Sequence, residues 1–186
     1  MSLSTRGYFA IGVEGVTKPR NLGALMRSAH GFGAAFVFTL EARFTKAELY
    51  KSDTSKTLDT VPLYQFDGLN SLRLPERCAL VGVELCDQAV DLPSFRHPLR
   101  AAYVLGPEKG SLSEPLLEQC DHVVKIPTRF CINVATAGAI MMYDRVLSFG
   151  RFAERPVSAG GPKVALEPHK HGGVFSRRSK VKPQQK

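Results

Sequence analysis

Three short stretches of this 186-residue chain hold polar side chains at places where a polypeptide can do chemistry. In the first, N-L-G-A-L-M-R, Asn21 and Arg27 lie six residues apart. In the second, Glu108 and Lys109 stand between Gly106 and Gly110, directly after an apolar run that ends at Leu105. In the third, Cys131 and Asn133 follow a short apolar run and precede a long series of small and apolar residues from Val134. The start of a helix leaves backbone N–H groups free, and anions or carboxylates sit well there. A loop at the carboxyl end of a strand is where open α/β sheets bind their ligands. Each stretch also has an ordinary structural reading: Asn133 as a plain helix cap, Arg27 as a surface ion-pair partner. Cysteine hydrolase chemistry is a further option, with Cys131 near Asp121 and His122. Those two residues precede the strand, however, and nothing places an imidazole beside the sulfur.

The elements that must position these side chains alternate in type. Tyr8–Val13, Ala35–Leu40, Val61–Phe66, Cys78–Glu84, Ala101–Leu105 and Val123–Ile126 are apolar, branched runs that read as strands. Asn21 reads as the cap of a helix that begins at Leu22 and ends at Gly31 or Gly33. A short helix is expected over Thr45–Lys51, a polar loop over Lys51–Asp59, and one or two helical turns over Leu69–Leu74. Ser113 caps another helix, with Glu114 and Pro115 in its first turn. The last helix, after Asn133, is apolar on nearly every face and so should be buried. Strands alternating with helical patterns argue for an α/β protein, its mainly parallel sheet flanked by helices.

Composition narrows the functional classes. The hydrophobic share is 44% without tryptophan, no apolar run is long enough to span a membrane, and the N-terminus lacks a signal-peptide core. A cytoplasmic protein with no membrane partner is expected. The four cysteines form no C-x-x-C pair, and no metal site is suggested. Neither G-x-G-x-x-G nor a Walker lysine is present. Net charge is +8, and residues Gly160–Lys186 hold seven Lys or Arg against the single acid Glu167. Residues 1–152 therefore read as the folded domain and 153–186 as a basic, disordered tail that attracts phosphates.

Taken together and in order, N-L-G-A-L-M-R (21–27), L-G-P-E-K-G-S-L-S (105–113) and K-I-P-T-R-F-C-I-N-V-A-T-A (125–137) resemble the three motifs of the SPOUT class of RNA methyltransferases. The resemblance is specifically to the TrmH (SpoU) family of ribose 2′-O-methyltransferases, and it covers most of residues 7–150. It implies an α/β fold whose C-terminal part is tied in a deep trefoil knot, an exception to the unknotted rule. It also implies a homodimer acting on tRNA or rRNA, with tRNA favoured because no separate RNA-binding domain precedes Tyr8. S-adenosylmethionine would be the cofactor and S-adenosylhomocysteine the product, with no metal. By position, cofactor contacts fall on Leu85, Gly106, Gly110, Ile126, Cys131 and Ile132, and the polar active-site positions on Asn21, Arg27, Glu108 and Asn133. Gly106 would border the cofactor where only a hydrogen fits. A small-residue face of the last helix, with Ala135, Ala139, Met142 and Tyr143, would pack against a twofold mate. Arg27 has two possible roles: a clamp on the RNA phosphate or, if deprotonated, the base. A guanidinium is a poor base because it holds its proton to above about pH 12. The chain departs from the family where Cys131-Ile132-Asn133 replaces Ser-Leu-Asn, and where the turn after Pro127 is short. A thiol is a weaker hydrogen-bonding group than a hydroxyl, so the contact expected at Cys131 is through its backbone. Loss of activity, leaving an RNA-binding protein on the same fold, is the competing implication of that change.

Overall fold

In Tyr8–Glu14 (β1), five consecutive residues from Phe9 to Val13 are buried, with no polar alternation. A strand covered on both faces belongs in a parallel sheet with helices on each side. The computed structural model of the chain, which describes residues 7–44, 47–49, 57–150, 152–153 and 155–161, has that sheet. Its other strands are Phe36–Leu40 (β2), Leu63–Phe66 (β3), Ala79–Val83 (β4), Val90–Asp91 (β5), Arg100–Leu105 (β6) and His122–Lys125 (β7). The order is β3-β2-β1-β6-β4-β7-β5, and every pairing is parallel. Helices Pro19–Phe32 (α1), Glu114–Gln119 (α2) and Val134–Phe149 (α3) complete the fold.

The placement of β6 matters most. It lies between β1 and β4, with Leu105 level with both Val13 and Val83. Because all strands run the same way, the loops leaving β1, β4, β6 and β7 emerge along one edge. Gly12 permits the tight spacing on β1: a Cβ there would lie 2.5 Å from the buried ring of Phe38 on β2.

Several boundaries differ from expectation. Helix α1 starts at Pro19 with Lys18 as its cap, so Asn21 lies inside the first turn and is not the cap. Proline suits that first position, since its missing N–H would have no intrahelical partner. Gly33, in the left-handed region at φ 77°, ends the helix. Strand β3 begins only after Pro62, and β7 is shifted one residue earlier than Val123–Ile126. The two-residue β5 was too short to leave a periodic signal. Leu69–Ser71 forms a single 3-10 turn. Residues 47–49 are helical; the rest of the expected Thr45–Lys51 helix, residues 51–56 of the polar loop and 162–186 of the tail lie outside the described residues. The described residues up to Gly150 form one compact unit, and the described residues from Phe152 onward contain no helix or strand.

Helix α3 is not covered all round. Ala135, Gly138, Met141, Met142 and Arg145 are buried, and the Leu25 side chain of α1 fills the space where Gly138 would carry a Cβ. Thr136, Ile140 and Tyr143 are exposed. At about 100° per residue these three form one stripe. Ala135 and Met142, expected on a dimer face, belong instead to the chain's own core.

At the opposite end of the sheet from those loops, Arg145 is only 4% exposed. Its guanidinium donates to the carbonyls of Pro98 (2.7 Å), Leu99 (2.9 Å) and Tyr8 (3.2 Å), and to the hydroxyl of Tyr103 (2.8 Å). It also lies over the rings of Phe9, Tyr103 and Phe149. His97 joins Tyr103 to Asp144 through its two ring nitrogens. Burial pushes the His97 imidazole below its ordinary range despite the bond to Asp144, and burial pushes the Tyr103 phenol up to about 12.

Candidate functional site

The loops after β1, β4, β6 and β7, together with the start of α3, enclose a cleft of about 360 Å³. Val83, Leu85, Leu105, Ile126 and Ile132 form apolar walls. Gly106, Gly110, Cys131, Asn21, Glu108 and Asn133 also line it. Every residue that the family resemblance assigns to the cofactor or to the polar active-site positions is therefore on this cleft except one. Arg27 is exposed on the side of α1, does not line the cleft, and makes no hydrogen bond or ion pair with any described residue.

Three glutamates hold the cleft's shape. Glu14, at the end of β1, accepts from the backbone N–H and the hydroxyl of Ser113. Glu84, following β4, accepts from the Leu112 N–H at 2.7 Å and from the Leu85 N–H at 3.0 Å. Since β1 and β4 flank β6, the loop leaving β6 is pinned from both neighbouring strands. The expected Ser113 cap is correspondingly modified: its hydroxyl faces Glu14 and makes no bond to its own helix.

Glu108 makes the return connection. Its Oε2 accepts from the Thr17 N–H (3.1 Å) and hydroxyl (3.0 Å), and its Oε1 from the Lys18 N–H (3.1 Å) and Asn21 Nδ2 (3.0 Å). Four donors nearly exhaust what a carboxylate can accept. They also place a negative charge at the start of α1, whose own first turn contains no acid. Burial alone would raise the Glu108 pKa; the hydrogen bonds from Thr17 and Asn21 outweigh it and hold the group below the usual carboxylate range. Such a carboxylate stays ionised at neutral pH, and its lone pairs are already engaged. Its geometry suits positioning better than proton transfer.

Asn21 passes this connection on. Its Oδ1 accepts from Asn133 Nδ2 at 3.3 Å, while Asn133 Oδ1 accepts from the N–H groups of Ala135 (2.9 Å) and Thr136 (3.4 Å) at the start of α3. Glu108, Asn21 and Asn133 thus form one chain of hydrogen bonds linking the three stretches. The cap at Asn133 was visible in the sequence. The pinning by Glu14 and Glu84 was not, because their partners lie 99 and 28 residues away.

Gly106 has a different reason to be glycine from the one expected. A Cβ there would lie 3.1 Å from the Leu112 nitrogen, 3.3 Å from the Ser111 carbonyl carbon and 3.4 Å from Glu84 Oε2. The crowding comes from the pinned loop folding back, not from the open cleft. The cysteine hydrolase option fails on placement. His122 and Asp121 sit at the start of β7, where His122 packs edge-on against Phe95 and Asp121 accepts from the Leu80 N–H. Cys131 lies past the strand's other end, on the cleft.

Comparison with known proteins gives consistent results. The model of the SpoU rRNA Methylase family matches residues 8–143. The chain is 28% identical over 137 residues to the Mus musculus tRNA (guanosine(18)-2′-O)-methyltransferase TARBP1, covering 69% of this chain and 9% of that protein. It is 28% identical over 165 residues to the 23S rRNA (guanosine-2′-O-)-methyltransferase RlmB of Nitrosomonas europaea, covering 83% of this chain and 62% of that one. Both relatives are thus matched over less than two thirds of their own length. Among solved structures, the SpoU methyltransferase AviRb of Streptomyces viridochromogenes, in complex with the cofactor AdoMet, superposes with a TM-score of 0.67 at 20% identity. That match covers 76% of this chain and 60% of AviRb.

Proposed function

The chain belongs to the SpoU rRNA methylase family, and on that premise we propose that it is an S-adenosylmethionine-dependent methyltransferase acting on a ribose 2′-hydroxyl of tRNA or rRNA. The observation that carries this reading is the single cleft on which all three sequence motifs converge through Glu108, Asn21 and Asn133. Its donor set suits the cofactor: apolar walls at Leu85, Ile126 and Ile132 for a nucleoside, and loop backbone at Gly106, Gly110 and Cys131 for polar contacts. When bound, S-adenosylmethionine supplies a methyl group made electrophilic by a positive sulfur. The chain's own task is to orient the ribose hydroxyl toward that methyl and to hold the adjoining phosphate. Glu108, Asn21 and Asn133 serve as positioning residues, and Arg27 acts on the RNA. Incubation with methyl-labelled cofactor and bulk RNA, followed by alkaline hydrolysis, tests this directly. Label should appear in alkali-resistant dinucleotides, because a 2′-O-methyl group blocks cleavage at the next phosphate; label on a base would refute the assignment.

The same reading includes a homodimer and a C-terminal trefoil knot. Support for the dimer is the exposed stripe Thr136, Ile140 and Tyr143 on α3, continued by the ring of Phe32 on α1 against Tyr143. In this reading Arg27, exposed on α1, acts at the cleft of the second copy. Support for the knot is the insertion of β6 between β1 and β4, with β7 then pairing on the far side of β4. Residues 153–186 act in this reading as a basic extension drawn to phosphates, and the setting is the cytoplasm, with tRNA the favoured substrate. No helix among the described residues is long and apolar enough to cross a membrane.

Gly106→Val should weaken S-adenosylmethionine binding at least about tenfold. The added carbons displace Leu112 and Glu84 and so spread the pinned loop. Calorimetric titration of the folded variant checks this, and unchanged affinity would show that the loop's return does not shape the pocket.

A further inference from the structure

Phe130 stands at the bend between β7 and α3 and is 73% exposed, more than any other aromatic side chain among the described residues. A single exposed ring is common on protein surfaces, so its neighbours decide whether it has a use. It does not hang on a loose loop. On one side the Thr128 N–H donates to the Ile126 carbonyl at 2.7 Å, and on the other Asn133 caps α3. Thr128, Cys131 and Ile132, its near neighbours in the loop, line the cleft. Phe130 therefore stands beside the cleft, between residues that line it, with its ring exposed.

Charge identifies the partner. Lys18, Lys109 and Arg129 are exposed on the loops around the cleft's mouth. The glutamates of these loops, Glu14, Glu84 and Glu108, are all engaged by N–H and hydroxyl donors. With Asp87 the exposed acid on the loop after β4, the mouth offers three cations against one free acid, and an aromatic face. Single-stranded nucleic acids are held by this combination: phosphates by cations, and unstacked bases by aromatic rings. A paired helix keeps its bases stacked inside and offers such a ring nothing to cover it.

We propose that Phe130 is a stacking platform for an unpaired base next to the nucleotide being modified, with Arg129 and Lys18 on the flanking phosphates. The substrate is then a single-stranded loop and not a duplex. This rests on the RNA-directed reading above, but it is tested through binding and does not require methyl transfer.

The chain contains no tryptophan, so Phe130→Trp places the sole indole beside the cleft. An RNA hairpin with an open loop should quench its fluorescence, and a blunt duplex of equal length should not. Phe130→Ala should weaken hairpin binding about 5- to 100-fold. Cofactor affinity and the slope of binding against salt should stay unchanged, because no phosphate contact is lost. Phe130→Trp should bind as well as the parent. Equal quenching by the duplex, or unchanged hairpin affinity in Phe130→Ala, would overturn the proposal. So would dissociation of a dimer in Phe130→Ala, which would assign the ring to a second copy, or loss of cofactor affinity, which would make it a lid. Stacking without methyl transfer would leave this inference standing and remove the proposed activity; methyl transfer without stacking would do the reverse.

Discussion

Arg27→Ala will abolish methyl transfer, by about two orders of magnitude or more, without changing S-adenosylmethionine affinity or stability. Arg27 is exposed, touches no hydrogen-bonding partner among the described residues and does not line the cleft, so its removal disturbs neither core nor cofactor walls. An exposed arginine away from its own chain's cleft can serve catalysis by reaching the RNA, and under the proposed twofold dimer it would do so at the second copy's cleft. Mixing separates that arrangement from one confined to a single chain. Arg27→Ala and a folded Gly106→Val variant, assayed at a cofactor concentration too low to fill the weakened Gly106→Val pocket, should regain activity on co-refolding. Random pairing makes half the dimers mixed, and each mixed dimer has one intact composite site, so about a quarter of the parental sites return. No recovery, with mixed dimers shown to form, would place Arg27 at its own chain's site. Arg27→Lys then distinguishes clamp from base. Lysine keeps the charge and loses the planar fork. A clamp predicts a raised KM for RNA and an unchanged pH profile, whereas a base predicts an activity limb moved to lower pH.

The largest loss of stability will come from Arg145→Leu, on the order of 3–5 kcal/mol in chemical unfolding. The substitution removes a donor from the carbonyls of Tyr8, Pro98 and Leu99 and from the Tyr103 hydroxyl, leaving Leu99 the Tyr8 N–H and Tyr103 its bond to His97, and it removes the cation from the rings of Phe9, Tyr103 and Phe149. Each unmet buried acceptor costs about 1–3 kcal/mol, softened where water enters. Arg145→Lys should recover only part, because an ammonium cannot donate as a planar fork to several carbonyls at once. A loss below about 1 kcal/mol for Arg145→Leu would show that the cluster is not structural. Acid should weaken the same region. Burial lowers the His97 pKa, so the stability from a neutral imidazole is complete above about pH 6.5 and is lost as pH falls through the lowered folded value.

The sheet was legible because its strands are unbroken apolar runs, which need two covered faces and therefore parallel neighbours. The site was legible as three local signals: a cap at Asn133, glycines at 106 and 110, and a helix start near Asn21. Their convergence was not a local property. It depends on β6 entering between β1 and β4, and no periodicity in residues 100–105 specifies that neighbour. The cap at Asn21 was misread because Pro19 begins the helix two residues earlier, freeing the amide to bridge Glu108 and Asn133. Arg145 lay hidden on an apolar helix, where one cation gives no hint that three carbonyls and three rings surround it. Ala135 and Met142 were assigned to the wrong face because small and apolar side chains suit a core helix and an interface equally.

The three glutamate connections have a consequence in time. They join residues 99, 28 and 91 positions apart. Contacts so distant along the chain require loop-closure entropy to be overcome before they return any stabilisation, and they are slow to form. Because Glu14 and Glu84 stand at the ends of β1 and β4 and grip the loop leaving β6, the cleft is expected to close only once those three strands are side by side. A chain caught before that step is expected to have sheet pairing without the finished cleft. A ligand of the cleft binds only the finished state: it slows unfolding and gives little help to the earlier steps of folding.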